Sequence, residues 1–376
     1  MDKERNQRTR SMPAPLDGFR ILDLSAVVSG PMAAVVLADQ GADVIKIEPP
    51  GWGDTIRGLG ASRNGLCAIY AMINRNKRSV GIDLKQPQGQ DLVKALAADA
   101  DVLLQNYRPG KMTALGLDYD TLTALNPRLI YASISGMGTQ GPGADKKVYD
   151  YVIQAMSGIL DVQGQRPLDA RLAEEQQSSQ SLQMVRTVLY DKVTALTMAQ
   201  GITAALLARE RSGLGQHVKL SMLDAALYFN WPDLMWNHSF EGQGVQYSGD
   251  LADVCGVVET ADGAIVSPHL GADCSGYETD ALLDLLGQHD IPSARVNRRE
   301  DVATDPQVMA SRSIQRIQHP RGGTLLQARS PIQFSQSTPP PHRPSADLGE
   351  HTHQVLTELG LASAEIQELA DAGVIA

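Results

Sequence analysis

Between residues 19 and 135 the chain alternates short apolar runs with stretches of helical period, and this alternation constrains the fold more than any other feature. Residues 19–25 (FRILDLS) read as a strand, Gly30-Pro31 as a turn, residues 31–40 as a helix and residues 43–48 (DVIKIE) as the next strand. The pattern continues with residues 78–84 (RSVGIDL), a helix from Pro87 to about Ala98, residues 101–106 (DVLLQN) and residues 128–135 (RLIYASIS). Strands linked by helical crossovers imply an α/β fold, a parallel sheet covered on both faces.

Residues 191–211 form the strongest helical pattern, rich in good helix formers, ending in Arg and Glu and stopping at Gly213 and Gly215. Asp191 opens it, and on spacing alone a capping role is the simplest reading of that aspartate. Before it, the Gln/Ser-rich stretch between Gly164 and Tyr190 reads as a loop or an exposed helix. From about Leu220 the pattern changes to a helix holding Trp231 and Trp236, a Gly-rich loop, and a hairpin around Asp262-Gly263, which suggests a second, small domain. A proline cluster, STPPPHRPS, reads as an extended connector, and two short helices close the chain.

Lys and Arg total 33 against 43 Asp and Glu, and the net charge of −10 argues against general binding to nucleic acid or anionic lipid. The three cysteines show no C-x-x-C pair, so neither a structural zinc nor a disulfide scaffold is expected, and a cytoplasmic location is the simplest. No apolar run is long enough to span a bilayer, and residues 1–14 read as a disordered tail.

Gly136, Gly138 and Gly141 (GMGTQG) follow a strand but precede Pro142-Gly143, so a plain turn is preferred over a dinucleotide loop. Basic residues cluster near strand ends: Arg75, Lys77 and Arg78, then Lys85, Arg108 and Lys111, then Lys146 and Lys147. Ligands of parallel sheets gather there, and such loop cations could meet phosphates. His351 and His353 are expected at the solvent surface, and no G-x-S-x-G, H-E-x-x-H or Walker motif occurs.

In order along the chain stand LDLSAVVSGPMAAVVLADQGADVIKIEPP, Gly53-Asp54 with Arg57, NRNKRSVGIDLK, NYRPG, NPRLIYASISGMGTQGP, YDYVIQAMSG, LLARERSGLGQHVKLSMLDA and LGEHT. This series resembles the class III coenzyme A transferases of the CaiB/BaiF type, over most of the chain. The resemblance implies a large Rossmann-like domain (residues 15–222), a smaller and here shortened α/β domain (223–330), and a segment returning to the large domain (331–376). It also implies an interlocked homodimer. By the same resemblance Asp191, ten residues before Gly201, is the catalytic nucleophile, and Arg75, Lys85, Asn106, Tyr107, Arg108, Lys147 and Tyr149 contact coenzyme A. The substrates would be an acyl-CoA and a free carboxylic acid, with no metal and no nucleotide cofactor.

Val28 stands where some members carry a catalytic glutamine, Ala114 where others carry a cofactor-binding arginine, and no run of glycines matches the active-site loop. Two other functions stay open at this point. The α-methylacyl-CoA racemases share the fold, but carry a histidine where this chain has Tyr149; a non-catalytic CoA-thioester-binding protein would fit the shortened small domain.

Overall fold

The structure, a computed structural model, describes residues 12–164, 182–338 and 340–376. Most of the expected tail (1–14) and most of the Gln/Ser-rich stretch lie outside the described residues. The chain divides into two units: one comprises the described residues up to Ser157 with Val185–Leu227 and Arg316–Ala376, the other those of Gly158–Met184 and Tyr228–Gln315.

The first unit is built on six strands: β1 (Arg20–Asp23), β2 (Asp43–Glu48), β3 (Lys77–Gly81), β4 (Val102–Gln105), β5 (Ile130–Ser135) and β6 (His217–Ser221). Their order across the sheet is β3-β2-β1-β4-β5-β6 and every neighbouring pair is parallel. The expected α/β sheet is therefore present, with the strand order of a dinucleotide-binding fold. β6 was not expected from periodicity. It is an edge strand, HVKLS, mostly half exposed, so it lacks the apolar run that marks its buried neighbours.

Helices cover both faces. On one, Leu22, Ile45, Ile47 and Val80 of the sheet pack with Leu92, Val93 and Leu96 of α2 (Pro87–Ala98). The two C-terminal helices, Thr352–Glu358 and Ser363–Asp371, close the same core through Val355, Leu356 and Ile366. On the other, α1 (Ser29–Ala38) packs along the 24-residue Leu189–Ser212 helix. That close approach follows from composition: α1 buries Gly30, Ala33, Ala34 and Ala38, and the long helix answers with Ala195, Met198, Ala199 and Ile202 at helical spacing.

α1 begins at Ser29, two residues before the expected start, because Pro31 falls in its first turn, where a missing N–H costs nothing. Gly30 is required there. A Cβ on it would lie 2.2 Å from the Cβ and Oγ of Ser25, which is itself fixed by its amide and hydroxyl on Asp23. Gly30→Ala is expected to force the β1–α1 loop outward and lower stability by about 1–3 kcal/mol, measured as the shift in urea midpoint.

In the second unit the expected hairpin is present, β7 (Cys255–Glu259) pairing antiparallel with β8 (Ala264–Pro268), with Ala294–Arg295 on the other edge of β8. The Thr279–Gln288 helix and the hairpin share a small core of Ile265, Cys274, Leu282 and Leu286. The helix expected to hold both tryptophans runs Met222–Leu234 and contains only Trp231. Pro232 removes a backbone donor in its last turn, and Trp236 falls in a separate 3-10 turn, Trp236–His238. GMGTQG is a run of turns with no helix before Asp150, as expected.

Candidate active site

The strand order reverses between β1 and β4, so the loops leaving their C-terminal ends diverge and open a crevice. The β1 loop, residues 24–28, leads into α1; the β4 loop carries Asn106, Tyr107 and Arg108.

Charged side chains are buried beneath the β1 loop. Asp23, Lys46 and Ser79 lie in one row across β1, β2 and β3, on the face opposite the Leu22–Ile45 core. Lys77 donates to Asp23 at 2.9 Å, and Lys46 to Asp54 at 3.0 Å. Arg57 pairs with Glu48 at 2.6 Å, and the Ser79 hydroxyl donates to Glu48 at 2.8 Å. Burial would raise Glu48, but its bonds to Arg57 and the charge of Lys46 hold it down to about 2. Burial lowers Lys77 to about 8 despite Asp23. Burial also opposes the ionised form of Asp23, yet Lys77, Lys46 and Ser25 hold its pKa below the ordinary range. Each charge has a partner, which is the condition for tolerating it inside a protein.

Asp191 emerges in the same crevice, and its local role is not the one that helix capping predicts. The Leu189–Ser212 helix begins two residues earlier, so Asp191 is its third residue rather than its cap. The cap is supplied from 41 residues upstream: Oδ2 of Asp150 accepts the amides of Tyr190 at 2.6 Å and Asp191 at 3.0 Å. Asp150 begins its own helix, Asp150–Met156, and its other oxygen accepts from Gln154 at 2.6 Å. Because Asp150 satisfies the backbone, the carboxylate of Asp191 is left over for other work. It is 8% exposed, and its pKa is pushed up to about 6 by burial and by the like charge of Asp150. The hydroxyl and amide of Ser29, in the first turn of α1 and on the lining of the same cavity, pull back part of that rise.

Asp191 lines a cavity of about 240 Å³ with Asn106, Tyr107, Arg108, Lys147 and Tyr149. Six of the eight residues that the resemblance assigned to catalysis or coenzyme A thus meet around one space, and Lys146 of the basic clusters joins them. Arg108, Lys146 and Lys147 form no ion pair among the described residues, and all three are exposed at the rim. Lys147 stands 5.1 Å over the Tyr149 ring. Asn106 is engaged differently from a free contact residue: its side chain donates to the Ala26 carbonyl at 2.8 Å and accepts the Ala26 amide at 2.9 Å. Arg75 and Lys85 are not among the residues lining this cavity. Arg75 pairs with Asp39 and donates to the Met72 carbonyl, and Lys85 is exposed in the turn before α2.

A larger cavity, about 720 Å³, shares the Tyr107–Pro109 wall and is walled further out by Tyr119, Tyr131 and His217. His217 stacks on Tyr119 with centroids 4.8 Å apart, and burial and Lys219 lower its pKa to about 4. Of the two linings, only the smaller holds a carboxylate whose pKa is raised, Asp191, which makes it the candidate site. Sequence reasoning missed Ser29 and Asp150, which act on Asp191 only through the fold. His351, expected at the surface, is half-buried, with Nδ1 accepting the Ser79 amide at 3.4 Å.

Residues 16–273 and 265–352 match the description CoA-transferase family III. The chain belongs to that family. It is therefore a transferase enzyme, and similarity extends to individual members. The succinate–glutarate CoA-transferase of Agrobacterium fabrum is 33% identical, covering 92% of this chain and 96% of its own. A formyl-CoA:oxalate CoA-transferase of Rhodopseudomonas palustris is 30% identical, covering 97% and 98%. The crystal structure of a CAIB/BAIF family protein from Brucella suis superposes with a TM-score of 0.78 at 28% identity, covering 93% of this chain and 100% of that one. Among the described residues of this family III transferase, no helix is long and apolar enough to cross a membrane.

Proposed function

We propose that this enzyme moves coenzyme A from an acyl-CoA to a free carboxylic acid through covalent intermediates on Asp191. The observation that carries the reading is a buried carboxylate, pKa about 6, in a cavity rimmed by three cations without ion-pair partners among the described residues. With that pKa the group is about nine-tenths ionised at pH 7, and being poorly hydrated it is a better nucleophile than a surface aspartate.

In the first step a carboxylate oxygen of Asp191 attacks the thioester carbonyl, the C–S bond breaks, and coenzyme A leaves as thiolate, giving an acyl-aspartyl anhydride. The thiolate then attacks the Asp191 carbonyl of that anhydride and expels the donor acid as a carboxylate, leaving an aspartyl-CoA thioester. The acceptor carboxylate attacks this thioester, releasing thiolate and forming the second anhydride. Attack of thiolate on the acceptor carbonyl yields the new acyl-CoA and regenerates the Asp191 carboxylate. One thioester is consumed and one is made, so no ATP is required. Arg108, Lys146 and Lys147 suit the phosphates of coenzyme A, and Tyr107 and Tyr149 offer it flat apolar faces. The names of the relatives pair CoA donors with small carboxylic acids, and the same exchange is proposed here with an interlocked homodimer as the working assembly.

The test is intact-mass analysis after incubation with a panel of acyl-CoA thioesters and a hydroxylamine or borohydride quench. A modification present in wild type and missing from Asp191→Ala is expected, with CoA affinity nearly unchanged. Turnover by Asp191→Ala would overturn the assignment, and solvent deuterium at the α-carbon of a methyl-branched acyl-CoA would point to isomerisation instead.

A further inference from the structure

The loop between β1 and α1 holds an unusual backbone. Val27 has φ of 69°, in the left-handed region that a β-branched residue rarely adopts. It lines the Asp191 cavity. Three side chains from three other parts of the first unit hold three consecutive residues of this loop. Lys46 donates to the Ser25 carbonyl at 2.9 Å. Asn106 brackets both backbone groups of Ala26. Asp54 accepts the Val27 amide on both oxygens, at 3.0 and 3.2 Å. Lys46 and Asp54 pair with each other, and each side chain is 1% exposed.

Two residues beyond Val27 is Ser29, which lines the same cavity as Val27 and Asp191, and whose amide and hydroxyl favour the Asp191 carboxylate. A Val27 relaxed to negative φ would rotate the peptides that follow and carry both donors away from the carboxylate. Strain of this kind persists only where its surroundings impose it, and here the imposing groups are buried; Asp54 also accepts the Ile56 amide at 3.1 Å, which caps the Thr55–Gly58 turn.

We propose that Asp54, locked by Lys46, is a positioning residue for Asp191: by holding the Val27 peptide it aims the Ser29 amide and hydroxyl at the Asp191 carboxylate. The catalytic consequence rests on the proposed role of Asp191; the geometric claim does not. The other ionisable groups facing that carboxylate are Asp150 from the helix it begins and Tyr107, Arg108, Lys146, Lys147 and Tyr149 on the cavity walls. None belongs to the Lys46–Asp54 pair, and of them Tyr107 lies within electrostatic reach of both its members.

Three variants of the full chain test this. Val27→Pro has no amide hydrogen to give Asp54 and cannot take φ of 69°, Val27→Gly keeps the amide and takes that angle freely, and Asp54→Asn removes the charge. The pKa of Asp191 is read by infrared difference titration against Asp191→Asn, and the rate of acyl labelling by intact mass. Val27→Gly should titrate as wild type does, near 6, with Tm equal or higher. Val27→Pro and Asp54→Asn should titrate at least one pH unit higher and label at least tenfold more slowly at pH 6, with acyl-CoA affinity within threefold. A folded Val27→Pro that titrates and labels like wild type overturns the proposal. If Val27→Pro and Asp54→Asn do not fold, Val27→Gly decides alone, supporting the proposal if its titration holds and its Tm does not fall, and overturning it otherwise. Displaced titrations in a protein whose wild type takes no acyl label would leave the positioning intact and remove the nucleophile reading.

Discussion

Asp191→Asn is expected to abolish CoA transfer and, at pH 7 to 8, to make the protein more stable by about 2–3 kcal/mol. The stability change follows from the raised pKa, 3.8 in the ordinary state against about 6 in the fold. Between those values the folded chain keeps a proton that the unfolded chain has released, so stability falls as pH rises through that window. The loss is absent below the lower pKa and complete above the upper one. Asparagine carries no charge to desolvate and none to oppose Asp150, so its advantage should vanish near pH 4 and be full near pH 8. Urea unfolding of both proteins at the two pH values measures it. An asparagine variant no more stable than wild type at pH 8 would mean that Asp191 is not held at a cost to the fold. The same pKa predicts that the rate of acyl labelling falls about tenfold per pH unit below 6, because only the carboxylate attacks.

Asp150→Ala should cost about 2–4 kcal/mol, more than a surface substitution, and the loss should come from hydrogen bonds rather than packing. One carboxylate oxygen accepts the Tyr190 and Asp191 amides and the other the Gln154 amide group, all at a buried site. Removing it strands these donors and takes a negative charge from the positive end of a 24-residue helix. It also removes the like charge that raises Asp191, so the pKa of Asp191 in any folded fraction should fall. Asp150→Asn separates the two effects: it keeps acceptors for the helix end, should lose only about 1 kcal/mol, and should still shift the acid limb of labelling downward. An unchanged limb in Asp150→Asn would show that burial alone sets the pKa of Asp191.

Much of this protein was legible from local pattern. Sheet strands buried on both faces must read as apolar runs, and residues 43–48 and 87–98 were bounded in the sequence as they stand in the fold, because Pro87 and the apolar period act locally. The edge strand His217–Ser221 escaped, since half its surface meets no apolar layer. The ordered motif blocks were enough to point to the family, for they are contiguous strings whose order survives without a fold. Local pattern misled at Asp191, where an aspartate at a helix start reads as a cap. The real cap comes from Asp150, and nothing within a few residues of Asp191 encodes that. Only tertiary structure gathers Asn106, Tyr107, Arg108, Lys147, Tyr149 and Asp191 around one cavity, and leaves Arg75 on Asp39. The physical reason is the range of the forces involved: helix and strand propensities act over a few residues. Burial, the repulsion of two carboxylates and the clamp on Val27 depend instead on which strand ends the sheet order sets side by side.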